Sequence, residues 1–226
     1  MNSFFKFPST PHLAVLENSN IRDDKVLSKE ERELFLQHNV YVEEKIDGAN
    51  LGISFDPSGN LCLQNRGSFL NYPFSGQWKK LDVWISPKID SLFDLLTDRY
   101  ILFGEWCYAK HSIMYTQLPD LFIGFDIYDK WKNVFWSVKQ RNRLLEHLKI
   151  VSVPLLGEGI YTLDELTNFF KQSKFGSQYL EGIYLRIDED DHLIKRAKLV
   201  RPDFVQTIDQ HWIHNEIIQN KMIFTY

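Results

Sequence analysis

The residues best suited to chemistry in this sequence are Glu44-Lys45-Ile46-Asp47-Gly48-Ala49-Asn50. Lys45 stands near the end of a strand candidate, Tyr41 to Ile46, just before a glycine turn. An amine at a strand end is held by its backbone and can be aimed at one point. Gly48 lacks a Cβ, so another backbone or a phosphate can approach closely there. The same residues also read as an ordinary Asp-Gly hairpin turn. Further along come Phe103-Gly104-Glu105-Trp106, Phe125-Asp126, Glu181-Gly182 and Lys195-Arg196-Ala197-Lys198. Each has a plain structural reading beside a functional one. Glu105 reads as a polar strand position, Phe125 as core and Glu181-Gly182 as a turn. The basic cluster reads as a solvated strand edge that blunts aggregation.

The elements that must position these residues can be read from pattern. Ser28-Lys29-Glu30-Glu31 is a capping box that starts a helix over 28–38. Tyr41–Ile46, Asn50–Phe55 and Leu61–Arg66 read as strands of an antiparallel meander, with a loop at Asp56-Pro57-Ser58-Gly59-Asn60. A helical stretch over 76–96 is broken at Ser86-Pro87, with Ser86 as cap and Pro87 as first helical residue. Tyr100–Cys107 and Leu121–Tyr128 are apolar strand candidates. Ser137 and Thr162 open helices to about Lys149 and Lys171, each with a capping box. Gly182–Ile187 and His192–Val200 form a hairpin around an acidic turn. Phe204, Ile208 and Trp212 give the tail, 204–220, a helical spacing. Strands and helices mix without a βαβ rhythm, which predicts an α+β fold with antiparallel sheets.

Composition narrows the partners. Of 226 residues, 44% are hydrophobic and 25% charged, which is ordinary globular usage and excludes disorder or coiled coil. A net charge of −4 excludes coating nucleic acid through bulk charge, so phosphate must be bound by a local patch. Aromatic residues make up 15%, which suits a sheet-rich core or a surface that stacks bases. The two cysteines, Cys62 and Cys107, are too few for a disulfide framework and fit a reducing cytoplasm. No apolar run approaches ~18 residues, so no membrane span is expected. The opening residues lack the apolar core of a secretory signal.

The motifs, taken in order, resemble the covalent nucleotidyltransferase superfamily of polynucleotide ligases and capping enzymes. They are Lys45-x-Asp47-Gly48, the strand around Glu105, Phe125-Asp126, Glu181-Gly182 and Arg196-Ala197-Lys198. Within it they are most similar to the ATP-dependent RNA ligase branch that includes the phage RNA ligase 2 type and the RNA-editing ligases. The opening Lys6-Phe7-Pro8-Ser9-Thr10-Pro11-His12-Leu13 and the stretch from Arg196 through Arg201 to Phe204 share this likeness. It runs from about residue 4 to about residue 215, which gives weak single motifs their weight.

The resemblance implies a nucleotidyltransferase (ATP-grasp-like) fold, antiparallel sheets flanked by helices around a central nucleotide cleft. It implies one domain over 1–226, with an N-terminal segment and helix (1–40), a catalytic core (41–200) and a C-terminal helix (201–226). Too little chain follows residue 200 for an OB barrel, which argues for a small form and against DNA ligases and GTP-using capping enzymes. The implied cofactors are ATP and Mg2+ (or Mn2+). Lys45 would attack the α-phosphate of ATP and become a lysine–AMP, then pass AMP to a 5′-phosphate that a 3′-hydroxyl seals. As a nucleophile Lys45 must be neutral, so its pKa must fall, with Lys198 and Arg196 supplying nearby positive charge.

Catalytic roles are thereby implied for Lys45, Lys198 and Glu181, with Glu181 also the metal ligand. Glu44, Asn50 and Arg66 would contact the adenylate, Glu105 the ribose, and Phe125 the adenine. Arg196 departs from the usual lysine of its motif, and Lys195 is a candidate substitute. The implied partner is RNA with 5′-phosphate and 3′-hydroxyl ends, in a nicked duplex or hairpin, supplied by a separate kinase or phosphatase. A protein that binds such ends or adenylylates without sealing is the competing reading. Lys110-His111 and Arg201 could reach phosphates or simply be solvated. His211 and His214 stand three apart, but no known metal spacing joins them to Asp209 and Glu216.

Overall fold

The structure, a computed structural model, describes residues 4–16, 25–204 and 217–223. Ten strands form two sheets. The first sheet places β1 (Val40–Glu44) centrally between β8 (Leu155–Gly159) and β9 (Gly182–Glu189), with β10 (His192–Val200) outside β9. The second runs β3 (Leu61–Gln64), β2 (Ala49–Phe55), β4 (Tyr100–Trp106), β5 (Phe122–Asp129), β6 (Val134–Phe135). All these pairings are antiparallel, as expected; a short β7 (Val151–Ser152) adds a parallel pair on β5.

The expected meander is corrected at its first turn. β1 and β2 do not pair; they belong to different sheets. Asp47-Gly48 is therefore a crossing between sheets and not a hairpin. Period-two alternation marks which residues share a face but says nothing of which strand lies alongside. The long-range partners of β1 come from residues 155–189.

Helices cover the sheets. α1 (Lys29–Leu36) carries the full capping box, with Ser28 Oγ accepting from the Glu31 amide and the Glu31 carboxylate accepting from the Ser28 amide. α2 (Leu81–Ile85) and α3 (Ile89–Leu96) are separated by a single tight turn at Ser86-Pro87-Lys88, since Pro87 has no N–H to continue the ladder. Ser86 is not an N-cap there but the C-cap of α2; its hydroxyl donates back to the Asp82 carbonyl at 2.7 Å. α4 (Val138–His147) has half a capping box. Ser137 accepts from Gln140, and the Val138 amide is bound by Asp188 of β9 at 2.6 Å. α5 (Leu163–Thr167) has both halves of its box, from Thr162 and Glu165, but is shorter than expected. Of the expected tail helix, residues 205–216, with His211 and His214, lie outside the described residues. Residues 217–223 are not helical; Gln219 and Met222 bridge to Ala109 and Leu118.

The two faces of the first sheet differ. Val40, Val42, Ile183, Leu185, Ala197 and Leu199 point one way and pack with Phe35 and Leu166 into an apolar core. The other face carries Glu43, Tyr184, Arg186, Arg196 and Lys198 in register. That face meets the second sheet through buried ion pairs. Arg186 of β9 pairs with Asp126 of β5, both with no exposed side-chain surface. Asp126 also accepts from Arg196 at 2.9 Å. Arg141 of α4 clamps Glu43 of β1 at 2.5 Å and the Phe125 carbonyl at 2.6 Å. Removing one partner of a buried pair strands the other charge. Asp126→Ala is therefore expected to cost about 3–5 kcal/mol of stability in urea unfolding. Glu33→Ala, which breaks an exposed pair on α1, should leave the midpoint unchanged.

Candidate active site

Lys45 follows β1 directly. Its amide donates to the Gly182 carbonyl at 3.0 Å, extending the β1–β9 pairing by one residue. Glu181 precedes β9, so this pairing brings the two side chains together, with Lys45 Nζ 2.6 Å from Glu181 Oε2. A Cβ on Gly182 would lie 2.3 Å from the Leu199 carbonyl oxygen, so only glycine lets β10 approach here.

Behind Lys45 the crossing is pinned from both sides. Asp47 Oδ2 accepts from the amides of Ser112 and Ile113 at 2.6 and 2.8 Å. The Asp47 amide donates to Tyr115 Oη at 2.8 Å. Gly48 lies against β4. A Cβ there would stand 3.0 Å from the Trp106 carbonyl oxygen and 3.1 Å from Glu105 Cβ. The glycine thus admits a strand of the protein itself. It lets the lysine segment sit next to Glu105.

Glu105 faces Asn50 directly across β2 and β4. Both atoms of the Asn50 amide and one Glu105 oxygen are buried without a hydrogen-bonding partner. Such groups cost about 1–3 kcal/mol each when left unpaired, so their clustering beside Lys45 points to a ligand surface. Phe125 is partly buried, at an irregularity where β4 and β5 slip register between Phe103 and Gly104. Bulges of this kind re-aim a side chain next to active sites. Its ring stands edge-on to Phe7, 5.4 Å away.

The electrostatics are set by carboxylates crowded around one amine. Burial lowers the pKa of Lys45, but Glu181, Glu105 and Asp47 outweigh it and the net direction is up. Burial pushes Glu105 up to about 8, against the pull of Lys45 and Arg66. Glu181 is also raised by burial. The second amine behaves oppositely. Burial and the charge of Lys45 push Lys198 down to about 8. Ammonium groups to hold phosphate, a carboxyl for a hydroxyl and a partly open ring together suit a nucleotide.

The RNA ligase family model matches residues 38–200. The chain belongs to the RNA ligase family. No curated protein matches its sequence. Its fold is similar to that of Naegleria gruberi RNA ligase, solved as variants in several states. A variant with AMP and manganese superposes with TM-score 0.60 at 16% identity, covering 88% of this chain and 57% of that one. A variant with ATP and manganese gives 0.59 at 15% identity, with the same coverage. An apo variant gives 0.60 at 14%, covering 89% and 57%. The chain thus spans 57% of the length of these ligases. At this level of identity the likeness speaks for the fold.

Within this chain, Lys45, Asn50, Glu105, Glu181 and Lys198 come together. Arg66 is exposed, and its charge acts on both Glu105 and Lys198. The Glu44 carboxylate is taken up elsewhere, by Ser173 Oγ at 2.5 Å and the Lys174 amide at 3.0 Å. Arg196 is partly buried, bonds Asp126 and Tyr184 and lies over the Phe7 and Phe135 rings. Lys195 is exposed and alternates to the opposite face of β10, so it cannot replace Arg196. Arg201 is bonded to Asp203 and to the Leu180 carbonyl. His111 bonds Gln77 at 3.0 Å.

Sequence reasoning did not single out Tyr115 or Asn220. The Asn220 side chain binds the Tyr115 amide and the carbonyls of Cys107 and Ala109, bracing the loop that clamps Asp47. No local pattern marks either residue. Gly48→Ala is expected to lower stability by about 1–3 kcal/mol, because the methyl must displace β4. Urea unfolding measures this, and acylation of Lys45 by an amine-reactive probe should rise as the crossing loosens.

Proposed function

We propose that this protein is an ATP-dependent RNA ligase with Lys45 as its nucleophile. Lys45 Nζ attacks the α-phosphorus of ATP, an N–P bond forms and the bond to pyrophosphate breaks. AMP then passes to a 5′-phosphate end of RNA, and a 3′-hydroxyl displaces it to seal the strand. One observation carries the reading: the lysine lies beside buried, unpartnered polar atoms of Asn50 and Glu105, with a second amine, Lys198, at hand. Family membership over residues 38–200 supports it.

In this reading Lys198 and Arg66 neutralise phosphate, Glu105 binds ribose hydroxyls and Phe125 stacks on adenine. Arg196 is reassigned from nucleotide contact to positioning, since Asp126 holds its guanidinium. Glu44 likewise positions the loop at Ser173. Lys45 must shed a proton before it attacks, and Glu181 Oε2 at 2.6 Å is an acceptor within reach. Among the described residues no three His, Cys, Asp or Glu side chains form a self-sufficient metal site. A Mg2+ or Mn2+ ion would be held by one carboxylate, Glu181, together with nucleotide phosphates. Such an ion neutralises phosphate charge when bound.

The whole chain is taken as one nucleotidyltransferase domain with its core at 41–200. The physiological ends come from a separate kinase or phosphatase. Its place of work is the cytoplasm, where Cys62 and Cys107 stay reduced. Among the described residues no helix is long and apolar enough to cross a membrane.

With α-labelled ATP, the parent protein should acquire label and Lys45→Ala none. Glu181→Ala should lose the metal-dependent part. Label from GTP alone would overturn the ligase reading. An adduct without sealing of 5′-phosphorylated RNA nicks would favour an adenylylating protein of another kind.

The pH dependence follows from Lys198 and Glu105, both at about 8. Below that, Lys198 is a cation and Glu105 is protonated. As pH rises through it, Lys198 loses its positive charge and Glu105 gains a negative one. Both changes weaken phosphate binding. ATP affinity should therefore fall several-fold from about pH 7 to about pH 9, and Lys198→Arg, which keeps its charge, should flatten much of that slope.

A further inference from the structure

Residues 11–13, ahead of α1, form an isolated parallel bridge to the edge of the first sheet at Lys198. Lys198 of β10 donates its amide to the Pro11 carbonyl at 2.9 Å, and the Leu13 amide donates to the Lys198 carbonyl at 2.8 Å. His12 is held on its other side too. Its amide donates to the Lys25 carbonyl at 2.7 Å, and its carbonyl accepts from Leu27 at 2.9 Å.

This register fixes where the side chains go. Leu13 enters the apolar core on the far face and is fully buried. Thr10 bonds Tyr184 Oη at 3.0 Å on the polar face. His12 alternates with Leu13, so it shares the face of Thr10, Tyr184 and Lys198. It is 8% exposed, and its Nδ1 has no hydrogen-bonding partner. Burial, then the charges of Lys198, Lys45 and Lys25, push it down to about 4. The imidazole is therefore neutral at physiological pH and carries one N–H.

We propose that His12 is a nucleotide-contacting residue, its Nδ1 donating a hydrogen bond to a phosphate oxygen of ATP beside Lys198. The proposal rests on the ATP site described above. A phosphate oxygen only accepts, so the bound nucleotide selects the tautomer with hydrogen on Nδ1. A buried ring nitrogen left unpaired is costly, and this contact removes the cost on binding. The neutral ring also adds a donor without a further charge among Lys25, Lys45 and Lys198.

The test uses the Lys45→Ala protein, which binds nucleotide without covalent transfer. ATP and adenosine are titrated separately. His12→Ala should raise the ATP Kd roughly three- to tenfold and leave adenosine unchanged. His12→Asn, whose amide nitrogen reaches the Nδ1 position, should restore ATP affinity, whereas His12→Gln should not. If the alanine variant fails to fold, the asparagine–glutamine contrast still decides. Unchanged ATP affinity, or equal losses for ATP and adenosine, overturns the proposal. If the parent takes no label on Lys45 while ATP binding still depends on His12, the ligase reading fails and this contact stands.

Discussion

Everything at this site depends on how two sheets are held against each other, and they are held in large part by buried charge. Asp126 receives Arg186 and Arg196 from the first sheet, and Arg141 joins Glu43 to the Phe125 carbonyl. Removing these groups from water costs several kcal/mol per ion, and only close, multiple hydrogen bonds offset that. An apolar interface could slide by a fraction of a residue at little cost. This one cannot, because any slip leaves an arginine or an aspartate unpaired. Lys45 comes from the first sheet, while Asn50 and Glu105 belong to the second. The ion pairs therefore fix the distance across which the chemistry must work.

The charge state at rest follows from the same geometry. A lysine nucleophile is expected to have its pKa lowered, and here the lowered amine is Lys198 instead. Lys45 is stabilised as an ammonium by Glu181, Glu105 and Asp47. The site thus holds Lys45 protonated and oriented.

Much of the architecture could be read from the sequence, because local chemistry determines it. Ser28 and Thr162 cap helices as their spacing indicates, and Pro87 breaks the helix where it stands. The hairpin of β9 and β10 is local, and its two strands are nearly as expected. The order of motifs also pointed to Lys45, Glu105, Glu181 and Lys198, which the fold brings close to one another. Pairing over long distances could not be read. Nothing near residue 47 says that the next strand joins another sheet. Arg196 looks like a phosphate ligand until Asp126 is found 2.9 Å away. Likewise Glu44 sits in the motif, yet strand alternation turns it toward Ser173. His12 lies in a stretch noted only for resemblance, and its position depends on pairing with residue 198.

The central place of β1 has a consequence for how the molecule comes into being. Residues 40–44 leave the ribosome well before their neighbours on either side, residues 155–159 and 182–189. Until those are made, a wholly buried strand has no partner and its apolar face is open to wrong ones. The loop behind Asp47 waits longer still, for Asn220. Contacts so distant in sequence close slowly, because chain entropy is lost before any bond is gained. Lys45 is thus encoded ahead of the strands that position it, and its surroundings are assembled late in folding. Chains that end before residue 181 consequently carry Lys45, Asp47 and Glu105 without Glu181 and Lys198.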